Sequence, residues 1–313
     1  MIDMILDIGG TSIKIVSLTY GKKEISNIRY TETPFPNTKD FSEDIFQIKK
    51  SLTLFLNEEI RRLVICFPGV LRNNKIFKWP NKTYWEGNNF YNFVKILNPK
   101  EWLVFDDCTL GVLSNLLLYP NKQNSLFINV GSGIGCGLII NGQLFVGDNG
   151  NAGELGHITV FPESTITCPC GNRGCLQLFS SGKGILERAK MVDNSLSEYK
   201  LLQECLGNNI VKKKIKEGAE LLGQYISNMI NFLDVTTIHI NGGVTNINEY
   251  NETFIDSLYK QEKKYLDREL TINIRPYFNA SLVGGVIKML GKEKLEQVSN
   301  IINNIENKME KVE

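Results

Sequence analysis

Apolar positions along this chain fall into short runs broken by glycine, and the order of those runs is repeated. Residues 4–8 and 13–18 read as two strands on either side of Gly9-Gly10-Thr11-Ser12, and a third strand near 25–30 completes a meander. A helix is expected over 43–58 and a buried strand at 62–66. A further strand at 102–105 runs through Asp106-Asp107 into an apolar helix ending near Leu118, and residues 119–124 read as a linker. The pattern then restarts. A strand at 125–130, the turn Gly131-Ser132-Gly133-Ile134-Gly135 and a strand at 136–140 lead to Asn141-Gly142, a strong hairpin signal. A helix over 212–233 carries Ile215, Ala219, Leu222, Ile226, Met229 and Leu233 on one face, which reads as core. A strand at 236–240 and a third glycine turn, Asn241-Gly242-Gly243-Val244-Thr245, follow it. Two related α/β lobes are therefore expected, 1–119 and 120–290, followed by a C-terminal helix at 291–313.

Composition narrows the classes. The chain has 313 residues, enough for two domains with their own cores. Its 35 basic and 34 acidic residues leave a net charge of +1, which argues against a nucleic-acid protein held by phosphate attraction. The apolar stretches are short or interrupted by charge, so no transmembrane helix and no membrane partner are expected. The first residues lead straight into structure without a secretory pattern, and a cytoplasmic location is expected. Cys66, Cys108, Cys136 and Cys205 sit in apolar surroundings and read as small buried residues.

The densest chemistry lies between residues 153 and 177. His157, one of only two histidines, is followed by Cys168, Cys170 and Cys175. Three thiolates and an imidazole form a complete tetrahedral set for a structural zinc ion. A disulfide is the weaker rival, because it needs an oxidising compartment. Glu154 stands three residues before His157, so the metal would also hold a carboxylate in place. The two glycine loops are each followed by a β-branched strand rather than a helix, which excludes the dinucleotide fingerprint. Paired hairpin loops instead suggest phosphates gripped from both sides by backbone N–H groups. Asp7 could hold magnesium through water, and the turn at Gly242-Gly243 could cover a nucleoside.

At this point the chain resembles the ROK family of sugar kinases and repressors, with the actin-like ATPase (ribonuclease H-like) fold of two lobes around a central cleft. Asp7-Ile8-Gly9-Gly10-Thr11-Ser12-Ile13-Lys14 resembles the family's first phosphate loop, and Asn129-Val130-Gly131-Ser132-Gly133-Ile134-Gly135 its second. Gly242-Gly243-Val244 resembles its adenosine-side turn. Ala152-Gly153-Glu154-Leu155-Gly156-His157 with the three cysteines resembles its zinc signature. Phe67-Pro68-Gly69 and Trp79-Pro80-Asn81 with Trp85 resemble its sugar-side loops, and Ala280-Ser281-Leu282-Val283-Gly284-Gly285 its last glycine-bearing helix. The resemblance implies transfer of the γ-phosphoryl group of Mg-ATP to a hydroxyl, at C6, of a hexose or N-acetylhexosamine. Asp107 would be the base, with Asn81, Asp106, Glu154, His157 and Gln177 contacting the sugar. A homodimer or homotetramer is also implied. The family's repressors carry a helix-turn-helix before the first phosphate loop, where this chain has six residues, so the kinase branch is expected.

Three positions depart from the family pattern. Asp106-Asp107-Cys108-Thr109 stands where Asn-Asp-x-Asn is usual, and Gly174-Cys175-Leu176-Gln177 where Gly-Cys-x-Glu is usual. The changes exchange donors and acceptors and motivate an alternative reading, a sugar-binding sensor without turnover. An Asp107 that merely caps the following helix is the structural alternative to the base. In the tail, Leu295, Val298, Ile302, Ile305, Met309 and Val312 form a stripe that either packs on the first lobe, where the family resemblance would join helix 291–313 to 1–119, or contributes to a dimer interface.

Overall fold

The computed structural model describes residues 1–21, 24–56, 58–262, 268–277 and 279–309. The meander expected at the start is present: β1 (Ile2–Ile8), β2 (Ser12–Tyr20) and β3 (Ile25–Pro34) pair antiparallel. The single helix expected over 43–58 is two, α1 (Phe41–Ser51) and α2 (Thr53–Leu56). Asp40 caps the first by accepting from the Glu43 N–H, and Leu52 closes it. β4 (Ile60–Cys66) lies parallel to β1. The hairpin of β5 (Val70–Arg72) and β6 (Lys75–Lys78) leads to α3 (Tyr91–Val94), and β7 (Glu101–Phe105) lies parallel to β4. α4 (Asp107–Gly111) and α5 (Asn115–Leu118), joined by one 3-10 turn, form the apolar helical stretch.

The second half repeats the design. β8 (Ser125–Val130), β9 (Ile134–Ile140) and β10 (Gln143–Phe145) form a meander. Asn141 and Gly142 turn its hairpin at positive φ, 52° and 69°. α6 (Gln177–Ser180), α7 (Gly182–Lys190) and the long α8 (Asn209–Leu233) precede β11 (Thr237–Asn241), α9 (Asn248–Glu262) and β12 (Thr271–Ile274). The face anticipated on α8 is the buried one from Ile215 to Ile226, with Met229 and Leu233 partly covered. The sheet orders are β3-β2-β1-β4-β7 and β10-β9-β8-β11-β12. Position for position these are one topology: an antiparallel meander extended by two parallel strands.

The chain divides into Met1–Pro120 with Asn279–Glu313, and Asn121–Phe278. This corrects the expected boundary at 290, because α10 (Ala280–Leu290) belongs to the first unit. A Cβ on Gly284 would lie 1.8 Å from the Leu110 carbonyl oxygen, and one on Gly285 2.7 Å from Ile5 Cγ2. Two adjacent glycines thus let α10 sit against both α4 and the central strand. In α11 (Leu295–Met309), Val298, Ile302 and Ile305 of the expected stripe are buried within the same unit, together with Ile301. Val312 lies outside the described residues. Among the described residues no helix is long and apolar enough to cross a membrane.

Each unit has its own core. In the first, the indoles of Trp79 and Trp85 are fully buried with centroids 5.1 Å apart, edge to face, and Phe35 and Phe67 pack against them. The buried Asp44 of α1 ties this cluster down, accepting from Trp85 Nε1 at 2.9 Å, Tyr84 Oη at 2.6 Å and Thr38 Oγ1 at 2.7 Å. At the opening of β1, Asp3 is fully buried yet charged. Arg61 and Arg62 from β4 and Tyr20 from β2 all donate to it, at 2.6–2.9 Å for the shortest bonds. Burial raises the Asp3 carboxyl, but these donors outweigh it and hold it below the usual carboxylate range.

A group with a lowered folded pKa contributes stability above its unfolded value, near 4, and loses it as pH falls through the folded value. Both arginines reach solvent, which softens the loss, so Asp3→Asn is expected to cost about 2 kcal/mol at pH 7. In melts from pH 7 to pH 2.5, the gap between wild type and variant should stay constant above about pH 5 and narrow below about pH 4.

Candidate active site and metal centre

In the first unit the three parallel strands end level. Asp7 of β1 is paired in register with Cys66 of β4, and Cys66 with Phe105 of β7, after which the chain delivers Asp106 and Asp107. Carboxyl ends of parallel strands are where α/β sheets bind ligands. The Cys66 thiol records the crowding of charge there. Burial first, then the Asp7 and Asp107 carboxylates, push it well above its ordinary value, so it stays protonated. Asp106 caps α4: its Oδ1 accepts from the Cys108 and Thr109 N–H groups at 2.9 and 2.8 Å, and its Oδ2 accepts from the Thr109 hydroxyl. The capping task therefore falls to Asp106 and not to Asp107. The first glycine loop closes through the Gly9 N–H, which donates to Ser12 O at 2.8 Å. Gly10 and Thr11 are exposed at its tip, and Lys14 follows on β2. A Cβ on Gly10 would lie 3.7 Å from Asn81 Nδ2, which brings the Trp79-Pro80-Asn81 loop beside this glycine loop.

In the second unit the loops after β8 and β11 are neighbours, because Asn129 and Asn241 are paired in register. Gly242, at φ 103°, lies where a Cβ would meet the Val130 carbonyl oxygen at 2.4 Å, so only glycine lets the two turns approach. The Gly131 N–H donates to Gly133 O at 3.0 Å, and Gly131 O accepts from the Gly182 N–H at 2.8 Å. This leaves Ser132 exposed at the tip, with Gly135 already in β9 and Gly243 exposed beyond Gly242.

The same unit gathers the metal quartet. The ligand atoms of His157, Cys168, Cys170 and Cys175 all lie within 4.8 Å of one another. His157 Nδ1 is 3.6 Å from Cys168 Sγ, and Cys170 Sγ is 3.7 Å from Cys175 Sγ. Zinc bonds of about 2.3 Å to sulfur and about 2.05 Å to nitrogen, at tetrahedral angles, place sulfurs about 3.8 Å apart and sulfur and nitrogen about 3.6 Å apart. The donor set thus fits a tetrahedral ion, and 3.7 Å is far too long for a disulfide. With Nδ1 turned to the sulfurs, Nε2 points away, and Glu154 Oε2 lies 3.8 Å from it. Gln177 turns its amide toward Cys168 Sγ at 3.2 Å.

The ROK family model matches residues 4–287. The chain belongs to the ROK family. A glucokinase of Halalkalibacterium halodurans is 34% identical over 142 residues, 39% of this chain and 42% of that relative, so the match spans less than half the relative's length. An N-acetylmannosamine kinase of Salmonella typhi is 25% identical over 271 residues, 85% of this chain and 91% of the relative. Xylose repressors of Bacillus also belong to this set of relatives. A ROK family glucokinase of Streptomyces griseus, solved in complex with glucose and AMPPNP, shares the fold with TM-score 0.71 and 19% identity, over 91% of this chain and 98% of that one.

For a ROK chain, two residues here were not apparent from the sequence reading. Asn279 caps α10 by accepting from the Leu282 N–H at 2.9 Å, and its Nδ2 donates to Asp7 Oδ2 at 2.8 Å. A capping asparagine ahead of an apolar helix was the only local signal; its partner is 272 residues away. Cys66 had been read as filler, and that is its chemistry, but its register marks the strand-end cluster. The metal set predicts about one zinc per purified chain by atomic emission. Cys175→Ser should weaken retention against a chelator by more than the 10–100-fold typical of changes around a metal site, and lower the melting temperature.

Proposed function

We propose that this chain is an ATP-dependent sugar kinase, moving the γ-phosphoryl group of ATP to a hydroxyl, at C6, of a hexose or N-acetylhexosamine. The observation that supports it most is the division of labour at the end of β7: Asp106 takes the helix cap, and Asp107 stands beside it in the carboxylate cluster around Cys66. A sugar hydroxyl gives its proton to the Asp107 carboxylate as its oxygen bonds to the γ-phosphorus and the bond to ADP breaks. The glycine turns at Gly9-Gly10-Thr11, Gly131-Ser132-Gly133 and Gly242-Gly243 offer backbone N–H groups to the nucleotide, and Lys14 adds positive charge. Magnesium, when bound near Asp7, offsets phosphate charge. Asn81, Glu154 and the outward Nε2 of His157 supply hydroxyl contacts, and a zinc ion held by His157, Cys168, Cys170 and Cys175 would fix that tautomer.

One observation favours a second reading, a sugar-binding sensor. Asp106 and Gln177, both expected at the sugar, are engaged elsewhere, the first in the cap and the second at Cys168. An ADP-release assay with Mg-ATP against hexoses and N-acetylhexosamines separates the two. Turnover that depends on one sugar, and that falls by about 100-fold or more in Asp107→Asn, supports the kinase. A sugar that raises the melting temperature without any ADP release supports the sensor.

The kinase reading also assigns a task to Asn279. Serine still caps a helix but is too short to reach Asp7. Asn279→Ser is therefore expected to keep stability within about 1 kcal/mol while raising KM for Mg-ATP about tenfold or more, with KM for sugar unchanged.

A further inference from the structure

We propose that Gln177 is a positioning residue of the metal centre: its amide donates a hydrogen bond to the Cys168 sulfur while its carbonyl end is wedged between the second glycine loop and the turn that carries His157. The main chain around it is held firmly. The Leu176 N–H donates to Ile158 O at 2.9 Å, the Leu178 N–H to Cys175 O at 3.0 Å, and Ser181 Oγ to Gln177 O at 2.6 Å. From this fixed base the side chain spans three segments. Nε2 is 3.2 Å from Cys168 Sγ. Oε1 lies 3.0 Å from where a Cβ on Gly133 would be and 3.2 Å from the same position on Gly156. One side chain therefore bonds a metal ligand and occupies the space beside Gly133, in the middle of the second glycine loop, and beside Gly156, the neighbour of His157.

An amide can do here what the family's usual carboxylate cannot. Three thiolates and a neutral imidazole around a divalent ion leave an excess of one negative charge. An N–H aimed at a thiolate offsets that charge and fixes the ligand's direction. A carboxylate in the same place only accepts, and would add a second negative charge against the sulfur. The change from the acid expected at this position to an amide is thus a change of task, from a hydroxyl contact to the support of Cys168. At Gly133 Oε1 is what a Cβ would meet, whereas at Gly156 a Cβ would first meet the Ile134 carbonyl oxygen at 2.2 Å and Oε1 only second, so it is through Gly133 that the metal centre and the glycine loop share a packing constraint. The inference rests on the metal centre and not on catalysis.

The test uses the full chain loaded with zinc, or with cobalt as a spectroscopic reporter, and needs no turnover. Gln177→Met keeps the length and loses the donor; Gln177→Glu keeps the shape and reverses it. Both are expected to hold zinc about 10–100-fold more weakly against a competing chelator, with Gln177→Glu the weaker. Both should also shift the sulfur-to-cobalt charge-transfer band, which simple loss of packing would not move. Equal retention and an unchanged band in both variants, with a change only in sugar KM, would overturn the proposal and return Gln177 to the sugar. A wild-type chain that takes up neither metal overturns the proposal together with the metal centre. Absence of sugar turnover leaves both untouched and bears only on the kinase reading.

Discussion

Parallel strands in register end at the same height, and the chemistry of both units depends on that. In the first unit the pairing of Asp7 with Cys66 and of Cys66 with Phe105 fixes three chain exits side by side. No loop has to be long, because each exit needs only one or two residues to present its group: Asp7 within the strand, Asp106 and Asp107 immediately after it. In the second unit the pairing of Asn129 with Asn241 does the same for two glycine turns. A shift of one residue in either ladder would turn every side chain to the opposite face. It would bury Asp7 in the core or carry Ile8 into its place. The Asp3 network at the other end of β1 therefore bears on the site, since Arg61 and Arg62 lock β4 against β1 in this register.

The same economy explains the unusual Asp106-Asp107-Cys108-Thr109 segment. A helix that starts directly at a strand end has unpaired N–H groups facing the carboxylate cluster. Asp106 satisfies two of them and takes the Thr109 hydroxyl as well. An acceptor-only residue at 106 and a hydroxyl donor at 109 are complementary, so the two departures from the family pattern form a matched pair. Their effect is to satisfy the Asp106 acceptors within the cap, which leaves the capping of α4 to Asp106 rather than Asp107.

What could be read from the sequence was what is encoded locally. The metal quartet, the two glycine loops and the Asn141-Gly142 hairpin are short-range patterns, and the repeated meander was visible as apolar periodicity. Helix α10 was placed with the wrong lobe because nothing within Ala280–Leu290 says which sheet it meets. That is decided by the close approach of Gly284 to Leu110 and of Gly285 to Ile5, contacts remote in the chain. Asn279 was missed for the same reason. Gln177 was seen, but its direction was not: an amide has a donor end and an acceptor end, and only the neighbourhood of Cys168 selects between them.

The Trp79-Pro80-Asn81 loop carries the same logic one step further. Asn81 is exposed, yet Trp79 and Lys82 on either side are almost completely buried. Lys82 Nζ donates to Pro36 O at 2.8 Å and sits over the Phe35 ring at 4.5 Å, while Trp79 packs between Phe35, Phe67 and Trp85. Asp44 holds Trp85 and Tyr84 from the other side. A polar side chain at the tip of a loop whose flanks are core residues loses little conformational entropy when it binds. A flexible loop would have to lose that freedom on every encounter. On the proposed kinase reading, the aromatic cluster of the first unit would hold Asn81 ready for a neutral, many-hydroxyl ligand, which offers directional hydrogen bonds and no charge to steer it.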